Sequence, residues 1–341
     1  MKVTINDVAE AAGVSISTVS KVMHDSYSIS AETKKKVLDV VSELGYVPSR
    51  RAQNFANKSN KSVLVLADMH KDFAYNNQHF FEIIVGLEAE LSKNSYELIL
   101  KHISAKDLSR NFAEISSDDS YTGFVIHASC MSYALAENLA NHDFPYVIIG
   151  DPSISGYKKK LSWIDVNNYY ASEIALEHLK SMHYENIAFL AAKDTDQISN
   201  HRLEAYLSNY EHKDKEDLVF RSENNSDAAY AETINILKSP LNVDAIICAN
   251  QILGFGALDA LKINHVEVPL DMGLITFDDY PISQIVSPDL SIVNLDMFEL
   301  GEEVAKTVIK KIKEPKLLVQ YNLTLPQLIV RSSSRRLNKY P

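Results

Sequence analysis

The sequence has few of the features that mark secreted, membrane or metal-binding proteins. Its 341 residues include two cysteines, Cys130 and Cys248, each in or beside an apolar, strand-like run. We therefore expect two buried thiols rather than a disulfide or a metal site. No apolar run approaches the roughly 18 residues of a membrane-spanning helix, and we find no signal peptide. These absences predict a cytoplasmic protein without a membrane partner.

Motifs typical of enzymes are missing as well. There is no glycine-rich phosphate loop, no set of metal ligands at regular spacing and no Gly-x-Ser-x-Gly nucleophile elbow. Serine, histidine and aspartate are plentiful, but no spacing singles out a catalytic set. We therefore expect neither catalytic activity nor a cofactor.

The chain also lacks an overall positive charge, with a formal net charge of −11. The charge is unevenly distributed. Residues 1–61 contain nine Lys or Arg and six Asp or Glu, whereas the remaining residues contain 25 and 39. A basic amino-terminal segment can approach phosphate, and an acidic remainder is repelled by it. The length allows two or three domains.

The amino-terminal residues have the pattern of a helix-turn-helix. Thr4 is placed to cap a first helix, with Asp7 at the capping-box position. An apolar face then recurs at helical spacing, formed by Ile5, Val8, Ala9 and Ala12. Gly13 suits a tight turn because it accepts a positive φ, and Ser15 can cap a second helix. Two short helices joined by a Gly-containing turn are typical of this motif.

The second predicted helix has two different faces. Val19 and Val22 can pack on the first helix, and the opposite face carries Ile16, Ser17, Ser20 and Lys21. In a DNA major groove, Ile16 can touch a thymine methyl, Ser17 can bond a base edge, and Lys21 can donate to guanine. The alternative is a small three-helix core without a DNA role.

A third helix and a basic segment follow. Ser30 is the predicted cap and Gly45 the end of this helix, whose inner stripe is Val37, Val40, Val41 and Leu44. After Pro48, residues 49–57 are basic, too short to be helical alone, and carry one large apolar side chain, Phe55. A helix that forms on DNA and inserts Phe55 into the minor groove explains these features. An ordinary interdomain linker is the alternative.

These residues resemble the lactose-repressor (LacI/GalR) family of bacterial transcription regulators. The resemblance is close from Val3 to Pro48, includes Ala52, and resumes at intervals towards the carboxyl terminus. The later matching segments are His79-Phe80-Phe81, Asp165-Val166-Asn167-Asn168, Cys248-Ala249-Asn250, Phe277-Asp278-Asp279, Ser287-Pro288-Asp289-Leu290 and Leu325 to Ser333.

The resemblance implies three domains: a helix-turn-helix DNA-binding domain over 1–47, a hinge helix or linker over 48–60, and a two-lobed domain for effector binding and dimerisation over 61–341. A homodimer would bind near-palindromic double-stranded operator DNA, one half-site for each helix-turn-helix. The expected DNA-contacting residues are Thr4, Ser15, Ile16, Ser17, Thr18, Ser20, Lys21, His24, Thr33, Ser49, Ala52, Gln53 and Phe55.

Several positions depart from the family pattern. Ser49 stands where the family usually has Asn, and Phe55 where it usually has Leu. The family also differs at Gln78-His79, Asn250-Gln251 and Thr276, which lie where it places the effector pocket. The identity of the ligand therefore stays open.

From Lys61 onward, predicted strands alternate with helices, which favours βαβ units and parallel sheets. The predicted strands are 62–69, 96–103, 123–128, 146–150, 187–192, 217–222, 244–249 and 272–277. The predicted helices are 80–91, 133–141, 169–182, 199–209, 227–238 and 252–262. The expected fold is a small all-α helix-turn-helix head plus an α/β effector domain of two parallel-sheet lobes. The resemblance implies crossovers near 162–165, 290–294 and 318–324, as in periplasmic sugar-binding proteins.

Ligands bind at the carboxyl ends of parallel strands. The effector-binding candidates near those ends are Asp68, Phe80, Phe81, Trp163, Arg202, Asn250 and Asp278. The resemblance assigns Arg202, Asn250 and Asp278 to sugar hydroxyls; the alternative for each is a helix cap or a surface charge. The two phenylalanines fit a core equally well, and Trp163 fits either ring stacking or hinge packing.

The sequence thus predicts a transcription regulator, a repressor of carbohydrate-use genes controlled by a small sugar. One alternative is a catabolite-control-type regulator whose effector is a phosphocarrier protein; another is a sugar-binding protein without a DNA role. No leucine heptads follow Ser333, so we expect a homodimer rather than a tetramer held by a terminal coiled coil.

Overall fold

The computed structural model describes residues 4–23, 29–46, 61–69, 78–142, 144–157, 160–193, 197–315, 317 and 321–336. The chain divides into two units, Met1–Lys61 and Ser62–Pro341. The predicted hinge over 48–60 lies outside the described residues, as do five DNA-contact candidates: His24, Ser49, Ala52, Gln53 and Phe55.

The described residues of the first unit form three helices, α1 (Ile5–Ala12), α2 (Ile16–Met23) and α3 (Ala31–Leu44). The predicted capping box of α1 is confirmed. The backbone N–H of Thr4 donates to the Asp7 carboxylate at 2.7 Å, and the backbone N–H of Asp7 donates to the Thr4 hydroxyl at 3.4 Å. These two bonds satisfy N–H groups that the start of a helix leaves unpaired.

The three helices enclose a small core. Its buried members are Val8, Ala9, Ala12, Val19, Val22, Val37 and Tyr46. The prediction for Leu44 is wrong, because this side chain is 37% exposed. Gly45 turns the chain through a left-handed conformation, φ 62°, and the N–H of Tyr46 then donates to Val41 O at 3.0 Å. Tyr46 therefore fills the core position expected of Leu44.

The second unit contains twelve strands and eight helices among its described residues. The strands are β1 (Ser62–Ala67), β2 (Glu97–His102), β3 (Gly123–His127), β4 (Tyr146–Ile149), β5 (Trp163–Val166), β6 (Ile187–Ala192), β7 (Val219–Ser222), β8 (Ala245–Cys248), β9 (Gly273–Phe277), β10 (Ser291–Asn294), β11 (Tyr321–Thr324) and β12 (Gln327–Ile329). The helices are α4 (Gln78–Lys93), α5 (Ala105–Ser116), α6 (Tyr133–Asn141), α7 (Asn168–Ser181), α8 (Gln197–Asn209), α9 (Ser226–Lys238), α10 (Gln251–Ile263) and α11 (Met297–Lys313).

The strands form two six-stranded sheets, one in each lobe. The sheet of lobe 1 has the order β11-β5-β4-β3-β1-β2, and all of its neighbours are parallel. The sheet of lobe 2 has the order β12-β10-β9-β8-β6-β7 and is parallel except for β12, which pairs antiparallel with β10. Such sheets suit buried, apolar strands, and β1, β6 and β9 are buried throughout. The predicted two-lobed parallel fold is confirmed.

The predicted elements of both lobes exist within a few residues of their expected bounds, but six further elements were missed: β5, β10, β11, β12, α5 and α11. The three crossovers lie between β5 and α7, between β10 and α11, and between β11 and β12. Each crossover lies slightly after its predicted position, because β5, β10 and β11 continue to their last residue in the sheet before the chain passes to the other lobe.

Two glycines let α4 and α11 pack closely in lobe 1. A Cβ atom at Gly301 would lie 2.2 Å from the carbonyl oxygen of Ile83, and one at Gly86 would lie 2.1 Å from that of Phe298. Both distances are far inside van der Waals contact. The close packing fixes α4, whose amino-terminal turn carries His79.

We expect Gly301→Ala to lower the free energy of unfolding by about 1–3 kcal/mol or more, because the new methyl group must push two backbones apart. Urea unfolding monitored by circular dichroism measures the loss. Gly254→Ala is the matched control, since its nearest neighbour is the Thr276 side chain at 3.1 Å rather than backbone. Equal losses in the two variants would contradict the close-packing argument.

Candidate functional site

The exposed face of α2 carries part of the predicted DNA contacts. Ile16 is 50% exposed, and Ser17 and Lys21 are exposed beside it, whereas Thr18 and Ser20 are half-buried. The backbone N–H of Thr18 donates to the Ser15 hydroxyl at 3.1 Å, so Ser15 caps the helix as predicted. An apolar, a hydroxyl and a cationic side chain thus remain available to base edges and phosphates.

Thr4 and Thr33 lie at the beginnings of helices. Thr4 caps α1, and the backbone N–H of Thr33 donates to the Ser30 hydroxyl at 3.2 Å at the start of α3. Helix starts present backbone N–H groups and a positive dipole end, which suits contacts with DNA phosphate. We therefore expect both residues to position the helix-turn-helix on the DNA backbone rather than to recognise bases.

We expect Lys21→Ala to weaken binding to the cognate operator by about 1–3 kcal/mol and to relax base preference at one position. The control is Lys35→Ala, which removes the same charge from the exposed side of α3. Loss of a phosphate contact should weaken all sequences alike. Binding to a library with a randomised half-site measures both effects; identical profiles for the two variants would refute the base contact.

The second unit contains a cavity of about 460 Å³ between its two sheets. Side chains at the carboxyl ends of β3, β4 and β5 line it from lobe 1. Side chains that follow β8 and β9, together with side chains of α8, line it from lobe 2. This is the edge at which parallel strands end and ligands bind. The volume lies in the range of small-molecule pockets. The structure brings three predicted residues together here: Arg202, Asn250 and Asp278.

Arg202 lines the cavity and is fixed by contacts with several buried groups. Its side chain is on α8, and the residue is 2% exposed. Its Nε donates to Asn168 Oδ1 at 3.1 Å, and its Nη1 donates to Ala249 O at 2.6 Å. The guanidinium lies 4.1 Å from the centre of the Phe277 ring, and Nη2 lies 3.9 Å from Asp278 Oδ1. The charge is thereby directed at the Asp278 carboxylate.

Asp278 follows β9 directly, in a left-handed conformation with φ 75°. It is 8% exposed, and Oδ1 accepts no aligned hydrogen bond from the residues that the structure describes. Burial alone would raise the pKa of this carboxyl, but nearby His79 and Arg202 together hold the pKa below its usual value. The result is a charged carboxylate at the cavity wall whose Oδ1 lacks an aligned hydrogen bond among the described residues and can accept one from a hydroxyl or amine.

Asn250 caps a helix, as one of its two interpretations predicted, and also lines the cavity. Its Oδ1 accepts from the backbone N–H of Leu253 at 3.0 Å and so caps α10, while its Nδ2 donates to Asn224 Oδ1 at 2.8 Å. Both asparagines line the cavity, as does Gln251, whose amide donates to the Ser283 hydroxyl. Thr276, another position that departs from the family pattern, is buried inside β9 and does not line the cavity.

Four predicted effector residues do not line the cavity: Asp68, Phe80, Phe81 and Trp163. Phe80 is buried in the core, and Phe81 is 52% exposed. Trp163 stacks on Tyr321 of the neighbouring strand, with ring centres 5.8 Å apart. Of the two interpretations of Trp163, packing between strands near a crossover therefore agrees with the structure.

The cavity also contains polar side chains beyond the effector-binding candidates. His79 is one of them, at a position already noted as departing from the family pattern, and the others include His127, Ser129, Asp151, Asp165, Asn168, Ser199, His201 and Tyr280. Asp165 and Asn168 belong to a segment that matches the family, and His201 precedes Arg202 by one position. Their place in the sequence, close to predicted residues, could have indicated them. It does not tell which of several neighbouring side chains faces the cavity.

Two histidine–aspartate contacts connect the lobes across the cavity. His79 Nε2 of lobe 1 lies 3.3 Å from Asp278 Oδ1 of lobe 2. Asp151 Oδ2 of lobe 1 lies 3.9 Å from His201 Nε2 of lobe 2. The first contact is an ion pair without hydrogen-bond alignment. Burial lowers the pKa of His79, but Asp278 outweighs this effect and the pKa is raised above 6.5.

We expect the closed cleft to be more stable at pH 6.0 than at pH 8.0. The raised pKa of His79 means that its contribution is fully present below 6.5 and is lost as pH rises through the raised value. The lowered pKa of Asp278 means that its contribution is present above 3.8 and is lost only in stronger acid. Small-angle scattering should show a wider cleft at pH 8.0, and His79→Gln should remove the difference. A pH response that persists in His79→Gln would contradict this assignment.

Other kinds of site are not found in the described part of the chain. None of its helices combines the length and apolarity needed to cross a membrane. No three His, Cys, Asp or Glu side chains within it are placed to hold a metal ion. The two cysteines are buried and unbridged, as predicted, and burial raises the pKa of the Cys130 thiol to about 11.

Comparison with known proteins identifies two domains. Residues 4–49 match the profile of bacterial regulatory proteins of the lacI family, and residues 176–334 match that of the periplasmic binding protein-like domain. The chain therefore combines a lacI-family helix-turn-helix domain with a periplasmic binding protein-like domain. Its LacI-family resemblance, predicted from the sequence, is confirmed.

Several relatives match this chain over nearly its whole length. The transcriptional repressor PurR of Vibrio campbellii is 26% identical over 98% of this chain and 99% of its own. The probable transcriptional repressor ExuR of Bacillus subtilis is 26% identical over the same shares. The crystal structure of the lac repressor dimer bound to operator and the anti-inducer ONPF is similar in fold, with a TM-score of 0.83 at 20% identity, covering 98% of this chain and 99% of that one.

Proposed function

We propose that this protein is a sequence-specific transcription regulator, a homodimeric repressor of carbohydrate-use genes whose operator affinity is controlled by a small sugar. One observation carries the proposal: a single chain combines a lacI-type helix-turn-helix with a cavity between two lobes that is lined by the Asp278 carboxylate and the Arg202 guanidinium. The first part has the chemistry to bind DNA, and the second has the size and polar groups to bind a sugar.

Ligands in similar structures support a sugar effector. A transcriptional regulator CelR was solved as a cellobiose complex, with 24% identity, a TM-score of 0.66 and coverage of 97% of this chain. A LacI-family regulator from Enterococcus faecium was solved with bound ribose. A cavity of about 460 Å³ can accept such a molecule. The cavity gives a small ligand a place to bind. A phosphocarrier protein acting as effector would not need such a cavity.

We assign the parts of the chain accordingly. Residues 1–47 bind the operator, residues 48–60 form the hinge with Phe55 as a minor-groove wedge, and residues 61–341 bind the effector and dimerise. Within the cavity, the Arg202 and Asp278 pair and Asn250 contact ligand hydroxyls. The regulator works in the cytoplasm and catalyses no reaction, since its relatives act as regulators.

Selection of binding sites from random DNA tests the DNA-binding part of the proposal. We expect a near-palindromic site, bound by two copies in analytical ultracentrifugation, because one helix-turn-helix covers a half-site. Affinity should fall steeply with salt, since Lys and Arg displace counterions from phosphates. Binding of a single copy to an asymmetric site, or no enriched sequence, would overturn the proposal.

A further inference from the structure

Two carboxylates lie side by side at the lobe 1 end of the cavity. Asp165 is on β5, and Asp151 follows the end of neighbouring β4. Parallel pairing of the two strands sets Ile149 beside Ile164, so Gly150 is next to Asp165 and Asp151 follows one residue further along. The Asp165 carboxylate accepts a hydrogen bond from the N–H of Val166 at 2.8 Å and another from the backbone of Asp151. Both aspartates line the cavity.

The described lining of the cavity contains little positive charge to balance these groups. Three aspartates face one arginine, Arg202, and no lysine. The guanidinium of Arg202 and the ring of His79, whose pKa is raised, both lie against Asp278 at the lobe 2 end. His127 stays neutral near pH 7, because burial lowers its pKa to about 4. His201 contacts Asp151 only at 3.9 Å and is half-buried.

The Asp151 and Asp165 carboxylates therefore carry more negative charge than the neighbouring side chains balance. Burial raises the pKa of Asp165 to about 6, and the charge of Asp151 adds to this effect. A cation placed between the two carboxylates would favour their charged forms. The described residues offer no three-ligand metal site, so a protonated amine is the matching group. Buried Asp278 lines the same cavity, and its Oδ1 accepts no aligned hydrogen bond from the described residues, which is an independent indication that a donor-rich ligand binds there.

We propose that the cleft selects an amine-bearing sugar, with the ammonium group held by Asp151 and Asp165 and hydroxyl groups held at the Arg202 and Asp278 end. The inference rests on the proposed function, because it names the ligand class of the same cavity. The negative lobe 1 end disfavours anionic sugars such as uronates and sugar phosphates, since like charges repel in a partly desolvated site.

Calorimetric titration of the full-length protein at pH 7.5 tests the inference with matched pairs of sugars. The two pairs are glucosamine with glucose and galactosamine with galactose. N-acetylglucosamine and glucuronate are tested in addition. In at least one pair, the amine should bind about tenfold or more tightly than its parent, and glucuronate should bind weakest. Parents that bind as tightly as their amines would overturn the inference and leave a sugar-controlled regulator standing. Failure of every probe to bind would overturn both the inference and the sugar effector.

Asp165→Asn removes the negative charge of the side chain and keeps its shape. This variant should reduce the affinity ratio of amine to parent by about tenfold, with little change for the parent sugar. Asp68→Asn is the matched control, because Asp68 is an aspartate of lobe 1 that does not line the cavity. An unchanged ratio in Asp165→Asn would overturn the assignment of the ammonium group. Selection of an operator sequence from random DNA tests the proposed function independently of either result.

Discussion

Arg202→Ala is expected to abolish the response of operator binding to ligand. The guanidinium donates to Asn168 and Ala249, stacks on Phe277 and faces Asp278. Its removal leaves the Asp278 carboxylate buried with His79 as its remaining cationic neighbour in the described structure. A hydrogen bond to a charged group contributes about 1.5–3 kcal/mol, and several are lost together. Ligand affinity should therefore fall about 100-fold or more.

Calorimetry measures this loss, and thermal melting shows whether the variant is folded. Arg331→Ala is the matched control: Arg331 donates to Asp279 at 2.7 Å in the same lobe but does not line the cavity. Both variants remove one partly or fully buried arginine, so both should lower the melting temperature. Only Arg202→Ala should lose ligand binding, and operator affinity without ligand should stay near that of the wild type. Normal ligand affinity in folded Arg202→Ala would show that the effector binds elsewhere.

Val19→Asp is expected to abolish operator binding and to leave ligand binding intact. Val19 is completely buried in the seven-residue core of the first unit. A carboxylate there has no partner, and its burial costs several kcal/mol, which is comparable with the whole stability of a small domain. The helices that display Ile16, Ser17 and Lys21 would unfold. The second unit has separate cores and should keep its cavity.

Fluorescence anisotropy with the selected operator should show an affinity loss of about 100-fold or more for Val19→Asp. Leu38→Asp introduces the same charge on the exposed side of α3 and controls for repulsion of the phosphates. Its loss should be much smaller. Operator binding by Val19→Asp near the level of the control would mean that the first unit is not what recognises DNA.

The helix-turn-helix could be predicted in detail because its determinants are local. The capping residues Thr4 and Ser15, the left-handed turn at Gly13 and the buried valines of α2 all lie within about twenty positions of one another. Helical spacing and cap chemistry describe such a segment almost completely. The one failure, Leu44, arose because a residue beyond the helix end reached back into the core.

The cavity could be predicted only in part because its contacts join distant residues. Asn168 and Ala249 lie 34 and 47 positions from Arg202, the residue they orient. His79 meets Asp278 from the other lobe, and the pairing of β5 with β11 decides that Trp163 stacks on Tyr321. Strand ends indicate which edge of a sheet binds ligand, but sheet order and register decide which side chains meet there.

Reciprocal coupling between the two sites is the most direct test of the central claim, that ligand bound in the cleft controls operator binding. Operator affinity is measured with and without saturating ligand, and ligand affinity with and without saturating operator. Linkage requires that both affinities change by the same factor, and for a regulator we expect a factor of about 5–150. Tight ligand binding that leaves operator affinity unchanged would contradict the account.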